Sequence, residues 1–210
     1  MFRKSFYLIV AAVFTLTFGA SIWGQDKSGD KAAATQVPSA APAASARAEF
    51  LEGLAYYEQR FTRLAEAIPA EKYSWRPGEG VRSIGEVYAH ISAANYGVAH
   101  AFGMQAPSGL DFKAIQAAAA DKAKITQLLK DSFAHLRQAI LPINDGDMDK
   151  PQKMFGRQTT VRGAFMMIIG HFGEHLGQSI AYSRVNGITP PWTEEAQQQQ
   201  QQKPPEKPKP

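Results

Sequence analysis

Cysteine is absent from the 210 residues, and its absence removes disulfide cross-links, thiolate metal sites and a thiol nucleophile at once. Any metal would have to be held by His, Asp or Glu. A strong charge of either sign is also lacking. The formal net charge is +4, but the excess lies at the two ends, in Arg3 and Lys4 and in Lys203, Lys207 and Lys209 against Glu206. The chain between them is close to neutral, which argues against nucleic acid as a partner. No stretch sustains the period-two alternation of a half-buried strand, so a sheet is not expected. G-x-S-x-G elbows and phosphate-cradling glycine loops are missing as well.

Both ends read as something other than folded domain. Residues 1–24 have a basic start, an apolar run from Phe6 to Phe18 and small residues at Gly19, Ala20, Ser21 and Gly24. That is the layout of a secretory signal peptide, with an uncleaved N-terminal anchor as the competing reading. Export, periplasmic or secreted, is the localisation expected. Residues 25–44 form an Ala/Pro/Ser spacer, and residues 196–210 a Gln/Pro/Lys tail, both expected to be disordered. Residues 45–195 remain, enough for one domain with one core.

Within that domain, four segments carry helical periodicity. From about Ala46 to Ile68, Phe50, Leu51, Leu54, Tyr57, Phe61 and Leu64 recur at three- and four-residue steps, and Pro69 stops the run. A second helix opens with Ser83 and Glu86, a capping-box pair, and runs to about Phe102; the loop before it carries Pro77, Gly78 and Gly80. The third is expected from about Ala117 to Leu141, stopped by Pro142. A fourth runs from near Thr160 to Asn186, with Gly187 as a left-handed cap and Pro190 and Pro191 beyond it. Between Ala164 and Phe172 it is apolar almost all round, which predicts the most buried helix of the set. The fold class expected is all-α, a four-helix bundle, an architecture that builds metal sites on facing helices.

The candidate chemistry starts at HFGEH. His171 and His175 lie four residues apart, which on a helix stacks both imidazoles on one face, about 6 Å apart. A third ligand must come from another helix, and His90, between the apolar positions Val87 and Ile91, is the natural candidate. His100 is displaced from His90 by about 15 Å along the axis and is expected in solvent. His135 could be a fourth ligand or a packing residue, and packing is the reading favoured. Glu174 could serve as a catalytic base beside the metal or be a solvated rim residue. Gln178 could orient a ligand ring or cap the cavity.

The stretch YSWRPGEGVRSIGEVYAHISAAN, from Tyr73 to Asn95, together with HFGEHLGQSIAYSRVNGITPPW, from His171 to Trp192, resembles the DinB-like family of four-helix metalloproteins. In that family a histidine midway along the second helix joins an H-x-x-x-H pair, followed by Gly-Gln and an Arg-x-x-Gly-hydrophobic-x-Pro-Pro ending. The matching positions here are His90, His171, His175, Gly177, Gln178, Arg184, Gly187, Pro190 and Pro191. The resemblance implies a divalent metal ion on three histidines with a position open to water or substrate, suited to zinc, nickel or iron.

It also implies a metal-dependent enzyme of hydrolase or thiol-transferase type, the alternative being a non-catalytic metal- or ligand-binding module. Export disfavours a cytosolic thiol as co-substrate and tilts the expectation toward hydrolysis. HFGEH also satisfies the H-x-x-E-H pattern of a zinc peptidase. That class needs an acidic ligand well downstream, which the short remaining chain does not provide. The partner expected is a small-molecule substrate of undetermined identity. A membrane enters only if the N-terminal run is retained, and a homodimer is left open.

Overall fold

The computed structural model describes residues 45–202. The expected signal peptide and spacer, 1–24 and 25–44, and the end of the expected tail, 203–210, lie outside the described residues. Four long helices dominate: α1 (Ala46–Ala67), α2 (Ile84–Ala101), α4 (Lys122–Ile140) and α5 (Val161–Val185), with a short α3 (Phe112–Ala117) between α2 and α4. None of the described helices is long and apolar enough to cross a membrane.

Each long helix begins where a side chain replaces a missing backbone partner. Ser45 accepts from the Ala48 amide at 3.1 Å. Ser83 and Glu86 form the reciprocal capping box at 3.2 and 2.7 Å. Asp121 accepts from Lys124 at 3.1 Å, and Thr160 from Gly163 at 3.1 Å. At the far end of α5, Gly187 takes a φ of 76°. The Ile188 amide then reaches back to the Ser183 carbonyl at 2.9 Å, closing a Schellman motif.

The four faces meet around buried Phe61, Phe133 and Phe172, whose ring centroids lie 5.3 to 6.3 Å apart. Leu54, Leu64, Ile91, Leu129 and Leu136 complete the core. Although consecutive in the chain, α1 and α2 sit diagonally: each packs against both α4 and α5. The long connections between helices permit this order, which is not a simple up-and-down bundle.

Several expectations need correction. A two-stranded antiparallel hairpin, β1 (Pro151–Met154) and β2 (Arg157–Thr160), precedes α5 where no sheet was expected. Its strands are too short to establish alternation, and it turns on Phe155 and Gly156, both left-handed at φ 47° and 77°. The expected third helix begins later, at Lys122, because Asp111 and Asp121 each cap a separate helix. The most buried helix is α2 rather than α5, whose outer face leaves Met166 73% exposed. Residues 196–201, assigned to the disordered tail, continue a helix, α6 (Pro191–Gln201). Pro191 at its first position and the good helix propensity of glutamine explain that extension. α6 is held to α1 by Arg60, whose guanidinium lies 4.4 Å from the Trp192 ring centroid, and by the Arg63–Glu195 ion pair.

Candidate metal centre

The position of His90 is fixed from the start of its helix. The capping box sets the first turn of α2, and Gly85 presses that turn so close to the α3–α4 junction that a Cβ would lie 1.8 Å from the Ala119 carbonyl oxygen. Ile84 and Gly85 also donate to the carbonyls of Trp75 and Tyr73, at 3.0 and 2.9 Å. With α2 clamped in this way, Val87, Tyr88 and Ile91 are buried and His90 lies half-buried at their edge. On α5, Ile168, Phe172 and Leu176 face the core, and His171 and His175 lie half-buried beside them.

The three imidazoles converge. Their ring centroids are 5.2 Å (His90–His171), 4.7 Å (His90–His175) and 4.6 Å (His171–His175) apart, and one nitrogen from each lies within 4.8 Å of the others. The Nε2 atoms of His90 and His171 approach to 3.2 Å. Two lone pairs cannot face each other at that distance without a proton or a cation between them. Two nitrogens each bound about 2.0–2.1 Å from one ion in tetrahedral geometry stand about 3.3 Å apart. The donor set and spacing therefore fit one divalent ion held by His90, His171 and His175.

Gln178 supplies the orientation of His175. Its Oε1 accepts from His175 Nδ1 at 2.9 Å, and its own amide donates to the Tyr182 hydroxyl at 2.9 Å. The amide is thus aligned from both ends, the proton of His175 is placed on Nδ1, and Nε2 is left with a lone pair. Tyr182 is in turn packed edge-on to Trp75, 5.4 Å between centroids. Burial, reinforced by Arg82 and His175, pushes the pKa of His90 down to about 4. Burial and the neighbouring His175 and His90 do the same for His171. Both rings are neutral near pH 7, as ligands must be.

Of the remaining candidates, His100 is exposed at the end of α2. His135 packs against Tyr96, 5.1 Å between centroids, and takes no part in the cluster. Glu174 is exposed and forms no hydrogen bond to the three imidazoles among the described residues.

The residues that sequence reasoning missed are on the hairpin. The ring of Phe155 lies 5.4 Å from that of His171, and Lys153, Met154 and Phe155 wall a cleft of about 470 Å³ that opens onto His90 and His171. The hairpin is pinned to α2 by Gln152, whose amide donates to the Ala101 carbonyl at 2.8 Å. The Phe-Gly pair at its turn was the one available signal, and it lacked the usual Asn or Asp.

The family model of the DinB superfamily matches residues 54–179. Among solved structures, a DinB-like protein from Bacillus cereus ATCC 10987 is similar with a TM-score of 0.59 at 20% identity, over 68% of this chain and 93% of that one. A DinB-like protein from Bacillus subtilis, YjoA, gives 0.52 at 20% identity over 67% and 93% of the two chains. YfiT from Bacillus subtilis gives 0.54 at 13% identity over 72% and 94%; it is described as a probable metal-dependent hydrolase with an unusual four-helix bundle topology. At these identities the likeness establishes the fold. No curated protein matches the sequence.

Proposed function

Since this chain belongs to the DinB superfamily, we propose that it is an exported metal-dependent enzyme of the hydrolase type, holding one divalent ion on His90, His171 and His175. The observation that carries this reading is the convergence of three imidazoles, with nitrogens within 4.8 Å of one another and no carboxylate among them. His90, His171 and His175 would hold the ion, which would supply Lewis-acid activation of water or of a substrate carbonyl. The chain's own residues supply position and access. Gln178 holds the His175 tautomer, the core face of α5 fixes the spacing of His171 and His175, and the cleft beside His90 admits a small molecule.

Hydrolysis is preferred to thiol transfer for two reasons. The layout of residues 1–24 supports export, away from cytosolic thiols, and YfiT is described as a probable metal-dependent hydrolase. A non-catalytic binding module is the second reading, favoured by the solvent-facing Glu174, which leaves no carboxylate in the histidine cluster among the described residues to act as a base. The discriminating experiment screens the protein, loaded in turn with zinc, nickel or iron, against panels of esters and amides and against thiol–electrophile pairs. Hydrolysis that stops on chelation, returns with metal and is absent from a His171→Ala, His175→Ala variant supports the proposal. Thiol consumption without hydrolysis would replace it with transfer, and inertness in both panels with retained metal would favour the binding module.

A further inference from the structure

The cleft beside the histidines is long and largely apolar. From His90 its floor follows one stripe of α2 through Ala93, Ala94, Gly97 and Ala101, about three turns or 16 Å of helix. One wall is the hairpin, with Phe155 against the His171 ring. Phe112, 65% exposed, also lines it. Its volume of about 470 Å³ suits a small organic ligand, for which sites of roughly 300–1,000 Å³ are usual.

Two residues of this lining stand out. Gly97 lies inside α2, where glycine weakens a helix, yet a Cβ there would meet nothing within 4 Å. No packing neighbour requires the glycine, and it lies on the lining of the cleft. Phe155, 47% exposed, holds a left-handed backbone at φ 47°, unfavourable for a bulky residue. That strained turn places an aromatic ring against a candidate metal ligand. Apart from its histidines the cleft is lined by apolar side chains and Lys153, which pairs with no carboxylate among the described residues.

We propose that this cleft binds a small substrate with an elongated apolar body and an anionic group, the body lying along α2 between Phe112 and Phe155 and the anion paired with Lys153. Gly97 sets the size limit. The inference rests on the metal-centre reading for the direction of the substrate's reacting end, but binding of the body and the anion does not need the ion.

The test uses the full chain, metal-free, titrated with ω-phenylalkanoates from 3-phenylpropionate to 6-phenylhexanoate and with the matching phenylalkylamines. Zinc uptake is measured on separate aliquots of each preparation after reconstitution with zinc. Saturable binding of the carboxylates, tighter than that of the amines, is expected. Gly97→Leu, with an unchanged helical signal and melting temperature no lower than that of the parent, should weaken the carboxylates at least about tenfold. Lys153→Gln should weaken them about fivefold and erase the preference over the amines. Gly97→Ala serves as a control that retains the shorter probes. Absence of saturable binding throughout the series, equal binding of amines and carboxylates, or indifference to Gly97→Leu would overturn the proposal. Stoichiometric zinc uptake beside any of those outcomes leaves the metal reading intact, whereas probe binding without zinc uptake refutes the metal reading and leaves the cleft.

Discussion

His175 shows what a single neighbouring side chain contributes. With Gln178 accepting at Nδ1, the ring presents one fixed lone pair; with Gln178→Leu the three imidazoles remain but that constraint is lost. Metal affinity, measured by competition with a chromophoric chelator, should fall about 10–100-fold. An unchanged affinity would mean that the amide is a bystander.

The same rings make the metal-free fold acid-sensitive. Burial lowers His90 and His171 to about 4, against about 6.5 in an unfolded chain. Between those values the unfolded chain binds the extra protons, so the contribution to stability is whole above about pH 6.5 and lost as pH falls toward 4. Urea midpoints of metal-free protein should decline across that window, and those of a His90→Gln, His171→Gln variant should decline less. Helix spacing alone made the pairing of His171 with His175 legible in the sequence, and His90 followed from its apolar flanks and the family pattern. Gln178 was left between two roles because a one-turn offset does not say which way an amide points. Lys153 and Phe155 were invisible because their importance comes from the hairpin's seat against α2.

Among the elements, α2 carries a pair of glycines with opposite consequences. Ala is the better helix former by about 1 kcal/mol, so Gly97→Ala, entering open space, should raise stability by about that amount. Gly85→Ala should lower it, since its Cβ would lie 1.8 Å from the Ala119 carbonyl oxygen and one backbone must move. Chemical denaturation of the two variants side by side checks the difference in sign. Caps and stops were readable in advance: Ser83 with Glu86, Thr160 near the start of α5, Pro69 and Gly187 all mark helix ends in the structure. What resisted reading were short pieces. α3, β1 and β2 contain six or fewer residues each, too few for periodicity, and they are held by tertiary contacts such as Gln152 to Ala101. Burial of α5 was overestimated because an apolar composition does not reveal which face the bundle leaves uncovered.

The molecule as a whole explains why two distant stretches of chain, near residue 90 and near residue 173, form one site. Placing α1 and α2 diagonally brings α2 beside α5, so the histidines face each other across one groove while the aromatic core of Phe61, Phe133 and Phe172 holds the spacing. The all-α class and the single bundle were legible from four amphipathic stripes; the diagonal order was not, since loop length permits several arrangements. The central claim is the ion itself. Its direct test is the metal content, by mass spectrometry, of untagged full-length protein beside His90→Ala and a His171→Ala, His175→Ala variant, each shown to be folded by circular dichroism. About one divalent ion per chain in the parent and only traces in both variants is the expected result. Trace metal in all three, or a His90→Ala variant as fully loaded as the parent, would contradict it.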